Sequence, residues 1–103
     1  MDKISENDVT ARNVIEGYAT AAYKARSYFV EDEKRQIYTV LTVPDQDYPI
    51  KLKVAVVVLA RIVDSLVVIE QDITDRPLYE ELMRNGIPRE QIILAYAGET
   101  IPE

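Results

Sequence analysis

A group of carboxylates is the candidate reactive cluster in this sequence. Glu70, Asp72 and Asp75 follow a strongly apolar stretch, and Asp64 lies a few residues before it. Glu70 and Asp72 are two apart, so at a strand end they share one face, where a hard cation could bind them. The structural interpretation, in which Asp72 begins a turn, Asp75 caps a helix and Glu70 is solvated, is favoured. A small metal-binding protein or enzyme that uses these carboxylates is the alternative.

The residues that most other catalytic mechanisms need are absent from this sequence. The sequence contains no histidine and no cysteine. This excludes disulfides, zinc sites built from Cys and His, haem ligation by those residues and nucleophilic catalysis activated by histidine. The glycines Gly17, Gly86 and Gly98 are isolated, so they form no glycine-rich phosphate loop. We therefore predict no catalytic residue of these kinds and no cofactor.

Length and charge indicate one acidic domain. The chain has 103 residues, and 18 acidic against 12 basic side chains give a net charge of −6. Nucleic-acid affinity rests mostly on cationic side chains, so this balance disfavours direct binding to DNA or RNA. Lys51, Lys53 and Arg61 could begin a nucleic-acid groove, but the stacking aromatics of such a groove are missing. An exposed row that discourages sheet aggregation is the favoured interpretation.

Three features favour a location in the cytoplasm. Residues 1–6 do not have the charged and apolar pattern of a signal peptide. The longest apolar run, residues 54–60, is far shorter than the ~20 residues that span a bilayer. The absence of cysteine is also typical of a reducing compartment. We therefore expect a cytoplasmic protein without a membrane segment.

Hydrophobic spacing predicts that the chain begins with a helix. Apolar residues recur at steps of three and four, as on one helical face: Ala11, Val14, Ile15, Tyr18, Ala22 and Ala25. Ser5, Asn7 and Asp8 precede this stripe and are candidate N-caps, because their side chains can accept hydrogen bonds from the first amides of a helix.

A meander of strands follows the helix. Four segments are rich in β-branched and aromatic residues: residues 28–30, 36–43, 53–63 and 66–71. The charged residues 31–35 predict a turn in the first pair, and Asp64-Ser65 predicts a two-residue turn in the second. The second pair is apolar on both faces, so the first helix should cover one face and a second layer or another subunit the other. Another subunit is favoured, which predicts a homo-oligomer, and a dimer in particular.

The last third of the chain predicts a short helix and a final strand. Thr74 or Asp75 can cap the helix, whose apolar stripe is Leu78, Tyr79, Leu82 and Met83. Gly86 is placed to end the helix in the left-handed conformation, with Ile87 folded back on the last turn. Residues 92–97 form the final strand. The order of helix, four-stranded antiparallel meander, short helix and strand defines an α+β fold.

Tyrosine and arginine are concentrated in the same C-terminal region. The candidate partner-binding residues are Arg76, Tyr79, Arg89 and Tyr96. These two residue types are enriched in the hot spots of protein interfaces, because they bury a large apolar surface and still make directional polar contacts. Packing within the domain is the alternative, and both interpretations stay open.

The C-terminal block also carries a family resemblance. An apolar strand that ends in acid (residues 67–72) precedes a helix that starts with Pro-Leu-Tyr (77–82) and a Gly-Ile-Pro run into the final strand (86–96). This block strongly resembles the XisI-like family, named for a factor that controls excision of the fdxN element in heterocyst-forming cyanobacteria. The match covers most of the chain, tightly over about the last 40 residues and loosely before them. Where the family commonly has His-Asp-Gly-Thr-Glu, residues 71–75 are Gln-Asp-Ile-Thr-Asp, so a role that needs the histidine is not carried over.

The resemblance implies a single XisI-like domain over residues 1–103 and an accessory protein rather than a catalyst. Members of the family accompany an XisH-like factor and act with or upon a site-specific recombinase, which performs the DNA chemistry. An acidic chain without a catalytic constellation fits that division of labour. The partner would bind either the C-terminal residues rich in tyrosine and arginine or the second face of the sheet.

Overall fold

A five-stranded sheet with two helices forms the architecture of the protein. The computed structural model describes residues 6–20, 25–45 and 54–102. The helices and strands are, in chain order, α1 Glu6–Glu16, β1 Ala25–Asp32, β2 Ile37–Pro44, β3 Ala55–Val63, β4 Leu66–Asp72, α2 Leu78–Arg84 and β5 Ile92–Leu94. Single turns of 3₁₀ helix lie on either side of β5, at Arg89–Gln91 and Ala95–Ala97.

The strands lie in the order β1-β2-β3-β4-β5. The first four pair antiparallel, and β5 pairs parallel to β4, with Val67 opposite Ile92. A parallel pair needs a crossover, which the segment containing α2 supplies. The α+β class is confirmed, but the sheet differs from the prediction in detail: the final strand joins it as a fifth, parallel member. That strand is also shorter than the predicted 92–97, because residues 95–97 turn into a 3₁₀ helix.

The first helix begins and ends earlier than the apolar spacing predicts. It covers Glu6–Glu16, and the amide of Gly17 donates to the carbonyls of both Asn13 and Val14, at 3.2 and 3.1 Å. Glycine loses more backbone entropy in a helix than any other residue, so the helix ends there at little cost. Ala25, assigned to the helical stripe, is the first residue of β1 instead. Ala22 lies outside the described residues.

Polar side chains in the first turn of α1 attach the helix to the ends of the strands. The Asn7 side-chain amide donates to the carbonyl of Ser65 at 3.2 Å, and the Gln36 side chain donates to the buried Asp8 carboxylate at 2.7 Å. Because α1 begins at Glu6, Asn7 and Asp8 lie inside the helix and are not its N-cap, contrary to the prediction. Ser5 lies outside the described residues.

The core lies between the helices and one face of the sheet. Its sheet residues include Tyr38, Val40, Val58, Ala60, Ile62, Val67, Ile69 and Ile92. Ala11 and Ile15 of α1 and Leu78 and Leu82 of α2 pack on them. Val68 and Ile93 lie on the opposite face by strand alternation and are also buried. That another subunit covers this second face stays a prediction.

The β3–β4 turn has the conformation that its two residues predict. Asp64 and Ser65 both have positive φ, 49° and 68°, as the central residues of a type I′ turn do. Aspartate tolerates this region better than serine, because its short side chain can bond to nearby backbone. The predicted two-residue hairpin is confirmed.

Ser65→Gly is expected to stabilise the protein by about 0.5–1 kcal/mol, because glycine adopts positive φ without steric strain. Thermal and urea unfolding followed by circular dichroism measure the change. Ser65→Ala is the matched control: it removes the same hydroxyl but keeps the Cβ. If alanine stabilised the protein as much as glycine, backbone strain would not be the cause.

Candidate partner-binding site

Asp72 fixes the position of the C-terminal region. One of its carboxylate oxygens accepts hydrogen bonds from the Thr74 amide at 2.9 Å and the Thr74 hydroxyl at 2.6 Å. The other accepts from the Leu78 amide, the first of α2, at 2.6 Å. Asp72 thus begins the turn, as predicted, and also supplies the cap of α2. The predicted cap at Thr74 or Asp75 is wrong, because residue 77 occupies the N-cap position and no side chain there bonds to the helix.

The proposed carboxylate cluster does not assemble. Glu70 pairs with Arg61 of the neighbouring strand at 2.7 Å, and Asp72 uses both oxygens for the turn and the helix. Over residues 6–20, 25–45 and 54–102, no three acidic side chains form a group that could hold a metal ion. Lys51 and Lys53, the other candidates for a nucleic-acid groove beside Arg61, lie outside the described residues.

The end of α2 sets the direction of the chain toward β5. The Ile87 amide donates to the Leu82 carbonyl and the Gly86 amide to the Met83 carbonyl, both at 3.0 Å. Gly86 has φ 103°, and Ile87 is buried. These bonds define a Schellman motif. The predicted left-handed helix stop is confirmed.

Gly86→Ala is expected to lower the free energy of unfolding by about 1 kcal/mol. Beyond its two chain neighbours, a Cβ on Gly86 would meet no atom of the described residues within 4 Å, so the cost comes from the backbone conformation and not from a clash. Chemical denaturation measures it, with Glu80→Ala on the exposed side of α2 as the control. Equal stability of Gly86→Ala and wild type would contradict the left-handed assignment.

Three of the four candidate residues come together beside α2 and β5. The Arg89 guanidinium lies 5.8 Å from the centroid of the Tyr79 ring. It also donates to the Ile92 carbonyl at 2.7 Å and to the Glu99 carboxylate at 2.6 Å. These contacts hold the arginine in one position.

Tyr96 belongs to the same surface. Its side chain is 43% exposed. Partial burial raises the pKa of its hydroxyl, and the nearby groups of Asp72, Tyr79 and Glu99 raise that pKa further. Tyr79, Arg89 and Tyr96 are called the tyrosine–arginine patch below.

Arg76 lies apart from this patch. Its guanidinium is 4.7 Å from the centroid of the Tyr18 ring, and the Tyr18 hydroxyl donates to the Arg76 carbonyl at 2.6 Å. Tyr18 packs against the core with its hydroxyl at the surface. The Arg76 contact connects the end of α1 to the approach to α2. Sequence reasoning missed it, because the two residues are 58 positions apart.

Glu99 holds the chain after β5, and sequence reasoning did not identify it. Its carboxylate accepts from the Leu94 amide at 2.9 Å and from Arg89. Those two hydrogen bonds, the amide first, hold the Glu99 pKa below its ordinary value of 4.5. No sequence signal marks this residue, because one of its partners is a backbone amide and the other, Arg89, is ten positions away.

This contact predicts a pH dependence. A group whose pKa is lowered in the folded state stabilises it above the unfolded pKa, and this contribution is lost as pH falls through the folded pKa. We therefore expect the segment after β5 to loosen below about pH 4.5. Carboxyl NMR of Glu99 should give a folded titration midpoint below that of the urea-unfolded chain. Equal midpoints in the two states would contradict the contact.

The fold and patch define the protein as a small α+β domain with a candidate interaction surface. The family model described as XisI protein matches residues 1–102, so the chain belongs to the XisI family. The resemblance predicted from the C-terminal block is thereby confirmed.

Solved structures agree with this assignment. A XisI-like protein from Anabaena variabilis ATCC 29413 is 26% identical, with a TM-score of 0.72 over 84% of this chain and 81% of that one. The fdxN element excision controlling factor XisI from the same strain is 24% identical and shares the fold, with a TM-score of 0.67 over 86% and 88% of the two chains. A comparison with curated proteins gives no significant match. In the described ranges, no helix has the length and apolar character needed to cross a membrane.

Proposed function

We propose that this protein is a non-enzymatic accessory factor that acts in the cytoplasm, through protein partners, in the excision of a DNA element. The observation that carries the proposal is the match of the XisI family to residues 1–102. A structural neighbour bears the name excision controlling factor. The partners are an XisH-like protein and a site-specific recombinase, and the recombinase performs the DNA chemistry.

The tyrosine–arginine patch supports binding to a protein. Tyr79 and Tyr96 offer aromatic surface, and Arg89 offers a guanidinium that is already ordered by Ile92 and Glu99. An ordered side chain loses less entropy when a partner binds, so more of the contact energy contributes to affinity. Residues of this kind dominate the energy of many interfaces. Arg76 would make a separate contact on the Tyr18 side of the molecule.

The charge of the chain supports the same division of labour. A net charge of −6 repels phosphate, and Arg61 is already paired with Glu70. Binding to a protein that itself contacts DNA avoids this repulsion. The second face of the sheet is the other surface that a protein partner could use.

Co-expression with an XisH-like protein from the same organism tests the proposal. Affinity capture followed by light scattering should give a complex of fixed stoichiometry. Alanine at Tyr79, Arg89 or Tyr96 should weaken that complex on the order of tenfold or more. Arg76→Ala tests the separate contact, and Arg84→Ala, which removes an exposed arginine that pairs with Glu81, is the control.

Two results would count against different parts of the proposal. Failure of the wild-type chain to capture the XisH-like protein would contradict the accessory role. A stable complex that tolerates every patch variant would contradict the patch and indicate the second face of the sheet.

A further inference from the structure

The outer edge of β1 is built for pairing with another strand. β1 has eight residues and pairs with β2 on one side; among the described residues, no strand lies on its other side. An edge strand presents unpaired amides and carbonyls, and proteins usually protect such edges with proline, charged side chains (lysine above all) or short length. β1 contains neither proline nor lysine, and its charged residues, Arg26, Glu31 and Asp32, lie toward its two ends, whereas β5 at the opposite edge has three residues.

Apolar exposure in the sheet is concentrated on the same strand. Among the described strands, the large apolar side chains that are exposed are Tyr28 and Val30, at 46% and 45%. Val68 and Ile93, farther across that face, are already buried. This distribution indicates the β1 edge, rather than the middle of the second face, as the surface that a second copy would cover.

The helix side of β1 is held in place. Arg12 of α1 lies 5.1 Å from the centroid of the Phe29 ring and makes two hydrogen bonds of 3.0 Å to the Glu31 carboxylate. A strand fixed by its own helix can pair without first becoming ordered, which lowers the entropic cost of association.

The sequence of β1 is complementary to itself in one antiparallel register. A twofold axis perpendicular to the sheet places one residue opposite its own equivalent. If that residue is Phe29, Tyr28 lies opposite Val30 of the second copy, and Arg26 lies opposite its Asp32. Both pairs are favourable across strands, the first aromatic with β-branched and the second of opposite charge.

The neighbouring registers are poorer. Centring on Tyr28 places Arg26 opposite Val30, and centring on Val30 places Tyr28 opposite Asp32. Within the chain, Arg26 lies 4.0 Å from Asp45. The Asp32 carboxylate pairs with the Arg35 guanidinium at 2.8 Å and accepts from the Arg35 amide at 3.1 Å. The two ion pairs are exposed and worth little, so they do not prevent the contacts between copies.

We propose that β1 pairs antiparallel with β1 of a second copy, centred on Phe29, and that the sheet continues across a symmetric dimer. The strand order places β1 and β5 at opposite edges, so the tyrosine–arginine patch stays free in each copy. Such a dimer presents two partner-binding patches. The dimer does not depend on the proposed function and can be tested without an XisH-like protein.

A single introduced cysteine tests the register, because the chain has none of its own. In the proposed register the two Cα atoms at position 29 are about 4.5–5.5 Å apart, within disulfide reach. Position 28 or 30 meets its own equivalent on the diagonal, about 7–8 Å away and beyond that reach. Phe29→Cys should therefore form a cross-linked dimer under mild oxidation, whereas Tyr28→Cys and Val30→Cys should not. Cross-linking of position 28 or 30 instead, or of none of the three, would overturn the proposal.

Light scattering of variants gives a second test that does not require loss of Phe29. Wild type should have twice the chain mass of 11.8 kDa. Arg26→Glu places like charges opposite each other and should weaken the dimer on the order of tenfold. Adding Asp32→Arg to the Arg26→Glu variant should restore the dimer.

Val30→Lys should also give monomer, because a charge at an edge opposes pairing. Val9→Lys is the matched control: Val9 is 47% exposed but lies on α1, so the dimer should persist. A monomeric wild type, or a dimer that survives Val30→Lys, would overturn the proposal.

Discussion

Leu82→Ala is expected to lower the free energy of unfolding by about 2–5 kcal/mol. Leu82 is fully buried, and it belongs to the core cluster in which α2 packs with Ile15 of α1 and Ile69 of β4. Truncation to alanine removes apolar burial and leaves a cavity between elements from both ends of the chain. Loss of the packing that holds α2 would also displace the tyrosine–arginine patch.

Urea unfolding, followed by circular dichroism, measures this change. Met83→Ala is the control. Met83 follows Leu82 in the sequence but is exposed, so its truncation should lower the free energy of unfolding far less. A loss below about 1 kcal/mol for Leu82→Ala would mean that α2 is not part of the main core.

Asp72→Ala is expected to lower the free energy of unfolding by about 2–3 kcal/mol. The carboxylate accepts from the amides of Thr74 and Leu78 and from the Thr74 hydroxyl, so alanine leaves the turn and the start of α2 without their acceptor. Asp72→Asn keeps one acceptor oxygen and should recover part of the loss.

The control for this prediction is Asp75→Ala, the residue that the sequence favoured as the helix cap. It should change stability by less than about 0.5 kcal/mol. A larger loss at Asp75 than at Asp72 would contradict the assignment of the cap.

Wild-type stability should be the same with Mg²⁺ and with a chelator. A gain in stability with Mg²⁺ would support the alternative in which the carboxylates bind a metal ion.

Features set by a few adjacent residues could be predicted from the sequence. The left-handed stop at Gly86 and the two-residue turn at Asp64 and Ser65 depend on local backbone preferences, so short motifs indicate them directly. The strand segments and the α+β order were predictable for a similar reason, because alternation and β-branched content are local.

Features set by distant contacts could not be predicted. The spacing of apolar residues continued past Gly17 through alanines, which fit a helix or a strand equally well, and only tertiary packing assigns Ala25 to β1. The Asp72 carboxylate reaches an amide six residues later, which local cap statistics do not consider.

The candidate site shows the same limit. Composition identified tyrosine and arginine as candidates, and Tyr79, Arg89 and Tyr96 do share a surface. Arg76 is directed to Tyr18 by a contact between distant parts of the chain. Glu99 orders the patch by accepting from Arg89 while the Leu94 amide fixes its carboxylate, and no residue-type motif marks a bond to a backbone amide.

Excision of a reporter element is the most direct test of the proposed accessory role. A plasmid element flanked by recombinase sites is placed in cells with the recombinase and the XisH-like protein, and the rejoined junction is measured by quantitative PCR. We expect that junction formation rises when this chain is added, falls again with the patch variants, and is absent when the recombinase is omitted. Junction formation without the recombinase, or a level that does not depend on this chain, would contradict it.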